Sequence, residues 1–187
     1  VVDIDYVIFG FSDGAIVALS KDKGDIVWTK RVGEGRYPDI VATPNSDSHD
    51  YYVAAYYEPL VALDKQSLNI RWRLDVGAAA ESYVDTNAEN PVLYHPGRDG
   101  VLRAIIMSTG AIAWEWDSKT NGALSEPQLT AAGLMVGSSE GSLYLIDLTT
   151  GTEQWRFHEP VQLSGVTARP TIVGRQMVFV SNAGKIY

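Results

Sequence analysis

Residues 125–159 read SEPQLTAAGLMVGSSEGSLYLIDLTTGTEQWRFHE, and this stretch decides the fold. Glu140-Gly141 is a two-residue hairpin signal, because glycine tolerates the positive φ that such turns require. LTTG (148–151) marks a second turn, and Trp155 follows Leu145 by ten residues. The same layout recurs upstream. Trp28, Trp72 and Trp114 each follow an alanine by ten residues (Ala18, Ala62 and Ala104), with KDKG (21–24), KQSL (65–68) and MSTG (107–110) in between. Consecutive tryptophans are 44, 42 and 41 residues apart (72−28, 114−72, 155−114). A period of about 40–50 residues that carries several short strands predicts an all-β fold, a β-propeller with one four-stranded antiparallel blade per repeat.

The repeats delimit four complete blades, 1–33, 38–77, 82–118 and 125–159. A fifth, 166–187, reads VTARPTIVGRQMVFVSNAGKIY and stops inside its third strand. No single repeat is large enough to bury a core of its own, so all belong to one stacked unit. Asp13-Gly14 and Asp99-Gly100 repeat the hairpin signal. Repeat two departs from it: Glu58 stands where Gly14 stood (58−14 = 44), Pro59 follows, and Leu68 replaces the turn glycine Gly24. The segments between blades, GEGRYP (33–38), GAAAE (77–81), SKTNGALSEP (118–127) and HEPVQLSGVTARP (158–170), are Gly-, Pro- or polar-rich, as surface loops are. The four repeated indoles are expected to be buried between blades, filling the wedge between radial sheets.

The chain has 187 residues, 45% of them hydrophobic, which is a globular composition. Its apolar runs are far too short to span a bilayer. The opening VVDIDYVIF reads as a strand inside a fold rather than as a signal peptide. Fifteen basic and twenty-three acidic residues give a net charge of −8, which argues against nucleic acid and anionic lipid as partners. The chain has no cysteine, which excludes disulfides, thiolate metal sites and cysteine nucleophiles.

Catalytic chemistry finds little to stand on. His49, His95 and His158 show no zinc-type spacing and read as surface or loop residues. FSDGA and SSEGS hold Ser, an acid and Gly but no base to complete a triad, so they read as hairpin turns. NSDSHD (45–50) lacks the glycine and distal glutamate of an EF-hand loop. Of the tyrosines at 51, 52, 56 and 57, the first two read as strand packing, while Tyr57 sits nearer the degenerate hairpin, where it can be exposed.

The pattern Ala-x-Asp-x-x-Thr-Gly-x-x-x-Trp resembles the repeat of pyrroloquinoline-quinone-type propellers. Repeat four carries it at Asp147, Thr150, Gly151 and Trp155 with Leu145 in place of Ala, and repeat two keeps Ala62, Asp64 and Trp72. Within that superfamily the chain resembles the C-terminal half of the BamB-like outer-membrane assembly lipoproteins. The likeness is carried by DIVATP (39–44), YYVAAYYEPLVALD (51–64), LSEPQLTAAGLMVGSSEGSLYLIDLTTG (124–151) and SGVTARPTIVGRQMVFVSNAGKIY (164–187). It implies part of an eight-bladed ring, a lipid anchor outside these residues, and a non-enzymatic periplasmic scaffold at the outer membrane of a Gram-negative bacterium, with no cofactor. It also implies binding to the POTRA domains of BamA through inter-blade loops, with unfolded outer-membrane proteins as further partners. The family's Asp-x-Asp-x-Thr-Pro loop falls on Asp39, Thr43 and Pro44, with Val41 replacing the second acid. Arg36 and Tyr37 flank it, and both residue types are typical of binding hot spots. The alternative for this segment is an ordinary turn before the second blade. For the whole chain, the alternatives are a quinoprotein-type redox propeller or its remnant, and a sensor or adhesion propeller. The unpaired faces of a partial ring imply self-association of the fragment.

Overall fold

A computed structural model describes residues 2, 5–33, 35–40, 42–87, 89–120, 122–158, 164–173 and 176–187. The described residues form β-strands and no α-helix. β1 (Tyr6–Gly10), β2 (Ala15–Ser20) and β3 (Ile26–Arg31) make a first antiparallel sheet, to which Val2 adds an isolated bridge with Val7. β4 (Asn45–Ser46), β5 (Asp50–Val53), β6 (Leu60–Asp64) and β7 (Ile70–Leu74) make a second, in chain order. The third holds β8 (Tyr83–Asp85), β9 (Val92–Pro96), β10 (Val101–Ile106) and β11 (Ile112–Asp117). The fourth holds β12 (Gln128–Thr130), β13 (Gly133–Gly137), β14 (Ser142–Ile146) and β15 (Glu153–His158). β16 (Thr171–Val173) and β17 (Gln176–Val178) pair as a fifth, extended by a Val180–Ile186 bridge. Strand order equals chain order in each, as the short hairpins dictate.

The chain divides into two compact units, 1–78 with 108–110, and 79–107 with 111–187. The first is packed around Ile8, Ile16, Ala18, Tyr51, Val53, Val61 and Leu63. In the second, Tyr94, Leu102, Trp116, Leu134, Val136 and Tyr144 form the main cluster, and Met135, Leu143, Val166 and Phe179 a smaller one. Tyr51 and Tyr52 are buried strand residues.

The ten-residue interval in the sequence is a cross-strand pair. Ala18 faces Trp28, Ala62 faces Trp72, Ala104 faces Trp114 and Leu145 faces Trp155. Just beyond each pair, the ladder slips by one residue at the same place, between Ala18 and Leu19, Ala62 and Leu63, Ala104 and Ile105, and Leu145 and Ile146. An alanine opposite Trp28, Trp72 and Trp114 leaves room for the ring, whereas Trp155 faces Leu145. Two of the rings are met by a glycine turn from the following repeat: Gly110 lies over Trp72, and Gly151 over Trp114. A Cβ on Gly151 would come within 2.6 Å of the Trp114 ring, so only glycine fits there. The Trp114 Nε1–H donates to the Leu148 carbonyl at 2.8 Å. Leu68 takes this place beneath Trp28 and adopts φ 55°, the left-handed conformation of the glycines it replaces, while its side chain joins the Trp28 cluster.

Two expectations are corrected. Trp72 is buried and Trp28 and Trp114 are half-buried, but Trp155 is 43% exposed. Trp155 lines an open apolar cavity of about 570 Å³ with Met135, Leu145, Ile172 and Met177, and no described turn covers its ring. His95 is not a surface residue. It lies fully buried on β9, with Nδ1 2.9 Å from Ser82 Oγ, because its strand position points into the sheet packing rather than toward the adjacent turn.

Candidate functional site

At one end of the first unit, three segments meet: the β1–β2 tip, the segment 32–44, and the β5–β6 loop. Backbone hydrogen bonds tie them together. Val32 N–H and Gly33 N–H donate to the Gly14 carbonyl at 2.9 and 3.2 Å, and Ile40 N–H to the Phe11 carbonyl at 3.4 Å. Tyr56 N–H donates to the Asp39 carbonyl at 3.0 Å, which fixes the β5–β6 loop against the segment carrying the sequence motif. Small residues permit the close approach. Gly14 and Gly33 lie against Pro38, so a side chain at either would collide, and the Glu58 carboxylate lies over Gly35.

The result is an exposed aromatic surface on a hydrogen-bonded backbone. Tyr37 is 52% exposed, Tyr57 55% and Tyr56 36%. The Tyr37 and Tyr57 ring centroids are 5.7 Å apart, and Tyr56 meets Tyr57 edge-on at 4.7 Å. The Arg36 guanidinium carbon lies 5.4 Å from the Tyr37 centroid, within cation–π range. Arg36 makes no ion pair among the described residues. Asp39 is half-buried beside this surface.

The five residues singled out in the sequence therefore separate. Arg36 and Tyr37 are brought together and outward, with Asp39 next to them. Thr43 is exposed and Pro44 buried, and both instead line a cavity of about 560 Å³ with Val7, Phe9, Ile40 and Ala42. Val41, where the motif departs, lies outside the described residues. Tyr56 and Glu58 were missed as site residues. Their signal was present in the sequence, since the AYYEP tip is where repeat two abandons the acid-glycine hairpin of the other repeats.

The polar cluster behind this loop is structural. Asp47 Oδ1 accepts from His49 and Asp50 N–H, both at 2.7 Å, and Oδ2 from Tyr52 Oη–H at 2.9 Å. Burial raises the Asp47 pKa, but these hydrogen bonds outweigh it and hold the carboxyl below its usual range. Asp50 is buried, and desolvation pushes its pKa up despite the Arg71 guanidinium 3.2 Å away. The carboxylate in NSDSHD thus caps its own turn, which leaves its acceptors already occupied.

A family model described as outer membrane protein assembly factor BamB matches residues 1–88 and 60–187. The outer membrane protein assembly factor BamB of Legionella pneumophila is 30% identical over 190 residues, covering 97% of this chain and 47% of its own length. That of Pseudomonas aeruginosa is 27% identical over 184 residues (95% and 47%), and that of Escherichia coli 24% over 187 residues (96% and 46%). The chain thus spans about half the length of the curated relatives it matches. Among solved structures, BamB from Moraxella catarrhalis superposes with a TM-score of 0.81 at 22% identity, over 100% of this chain and 56% of that one. This likeness bears on the fold alone.

Proposed function

The chain belongs to the BamB family of outer membrane protein assembly factors, and from that premise we propose that it is part of a non-enzymatic scaffold of the β-barrel assembly machinery. The reading places it in the periplasm, associated with the outer membrane. The sheets described above, with blade limits at 1–33, 38–77, 82–118, 125–159 and 166–187, would contribute to an eight-bladed ring. Its partner is the POTRA region of BamA, met by the inter-blade segment carrying Arg36, Tyr37, Asp39, Thr43 and Pro44. What supports this choice is one observation. Arg36 and Tyr37 are exposed on a segment whose backbone is pinned on both sides by hydrogen bonds to neighbouring loops. A rigid loop that presents an arginine and an aromatic ring loses little entropy on binding.

The test is Asp39→Arg in the full-length protein, titrated against a BamA POTRA fragment. The expected outcome is affinity at least tenfold weaker at an unchanged melting temperature. Wild-type affinity, or a parallel loss of stability, returns the segment to the role of an ordinary turn.

A further inference from the structure

Three of the four repeated tryptophans are met by a turn of the next repeat: Leu68 packs beneath Trp28, Gly110 lies over Trp72 and Gly151 over Trp114. The residue at the covering place is left-handed each time, with φ of 55° at Leu68, 74° at Gly110 and 68° at Gly151. Leu68 N–H donates to the Asp64 carbonyl at 2.8 Å, and Gly151 N–H to the Asp147 carbonyl at 3.0 Å.

One ring and one turn are left without a match. Trp155 is 43% exposed, and no described turn lies over it. The Trp114 indole N–H is satisfied by the Leu148 carbonyl of its covering turn, whereas among the described residues no acceptor meets that of Trp155. The unmatched turn is the first, 20–25, and it is built like the others. Gly24 N–H donates to the Ser20 carbonyl at 2.9 Å, and Ser20 N–H to the Asp25 carbonyl at 2.9 Å, as Asp147 N–H does to the Thr152 carbonyl at 2.9 Å. Gly24 has φ 73°, yet no described atom lies within 4 Å of where its Cβ would stand. At Gly110 and Gly151 that space holds an indole, at 2.7 and 2.6 Å. The first turn and the last repeated tryptophan are thus two halves of a contact that the chain makes elsewhere within itself. Every copy carries one of each, so copies match head to tail.

We propose that the Gly24 turn of one copy of this chain lies over Trp155 of a second copy. Glycine lets the turn backbone rest on the indole face, and a turn carbonyl accepts the indole N–H. Met135, Leu145, Ile172 and Met177, which wall the open cavity beside Trp155, are covered at the same time. Two copies together span about the length of one of the relatives matched above. The contact is separate from the segment carrying Arg36 and Tyr37, so either reading stands or falls without the other.

The experiment follows the 187-residue chain by sedimentation over a concentration series, with Trp155→Ala, Gly24→Asn and an equimolar mixture of the two. Asparagine keeps the left-handed turn and sets a side chain against the ring. The wild type is expected to associate as concentration rises, and each variant alone at least tenfold more weakly, with an unchanged β-sheet circular dichroism spectrum. The mixture should associate more strongly than either variant alone. It restores one pair, the intact Gly24 turn of the Trp155→Ala copy on the intact Trp155 of the Gly24→Asn copy. A wild type that stays monomeric at every concentration overturns the proposal, and so does association unchanged in either variant. A mixture no stronger than its parts, or a variant that loses the sheet spectrum, assigns the residue to the fold of a single copy and overturns it as well.

Discussion

Two hairpins at matching places in the repeat have been put to opposite uses. The β9–β10 turn is closed on itself. Asp99 accepts from Val101 N–H at 3.2 Å and from Arg103 at 2.7 and 3.0 Å, and Arg103 reaches back to Glu115 at 2.8 Å. The Arg103 side chain is only 9% exposed, and Gly100 N–H donates to the Gly97 carbonyl. Asp99, Arg103 and Glu115 are all engaged with one another at that tip. The β5–β6 tip keeps its backbone tied through Tyr56 N–H and folds the Glu58 carboxylate over Gly35, but leaves the Tyr56 and Tyr57 rings exposed. One hairpin shows what a blade needs to hold together. The other shows a tip that is held through its backbone and leaves its aromatic rings on the surface.

The contrast is broken most severely at Arg103. Arg103→Ala strands Asp99 and Glu115 around a vacated buried position. The full cost of a split buried pair is discounted here because both carboxylates are half-exposed, so we expect a loss of about 2–3 kcal/mol by urea unfolding at pH 7. The same pair sets an acid response. Burial raises the Asp99 pKa, but the hydrogen bonds and charge of Arg103 bring it below its ordinary value of 3.8. A carboxyl lowered in the folded state stabilises above the unfolded pKa, and that stability drains away as pH falls through the lower folded value. Wild-type stability should therefore fall as pH drops below about 4, and the Arg103→Ala curve should be flatter there. A variant that is as stable as wild type, or equally acid-sensitive, would show that the clamp is ornamental.

A smaller effect is expected at Gly100→Val. The substituent must accept φ 75° and approach the Thr120 carbonyl at 3.1 Å, for a loss of about 2 kcal/mol in the same unfolding assay. Smallest of all is Tyr57→Ala, whose ring is more than half exposed. Its effect on unfolding should stay within about 0.5 kcal/mol, and a larger loss would mean that the open tip is structural after all.

Much of the fold was legible because it is written in pairs. The interval from Ala62 to Trp72 is a cross-strand contact, so counting ten residues located the last two strands of each of the four sheets that carry such a Trp. Asp13-Gly14, Asp99-Gly100 and Glu140-Gly141 located the hairpins that lead into those strands. What stayed hidden depends on neighbours rather than on local pattern. Trp155 stands at the same place in its repeat as Trp114, yet no described turn lies over its ring. His95 looked like a loop residue because Pro96 and Gly97 follow, and only the pairing with Arg103 shows that it is on a strand. At the candidate site, Arg36 and Tyr37 could be read from residue type, whereas the meeting of Tyr37 with Tyr57 joins residues twenty apart. Leu68 lies between these cases. Its replacement of a turn glycine was visible, but not that it would accept the left-handed conformation and pack beneath Trp28.

The ladder slip opposite each tryptophan bears on a hazard that any open sheet carries. Strands β3, β7, β11 and β15 each stand at an edge of their sheet and are largely exposed, and such edges are the kind of template on which foreign strands polymerise. Each is paired across the same bulge, and each bears charges such as Lys30, Arg71, Glu115 and Arg156. Bulges twist an edge out of register with an incoming strand, and charges resist being sandwiched. Bulge and charge together make these strand edges poor seeds for fibrils.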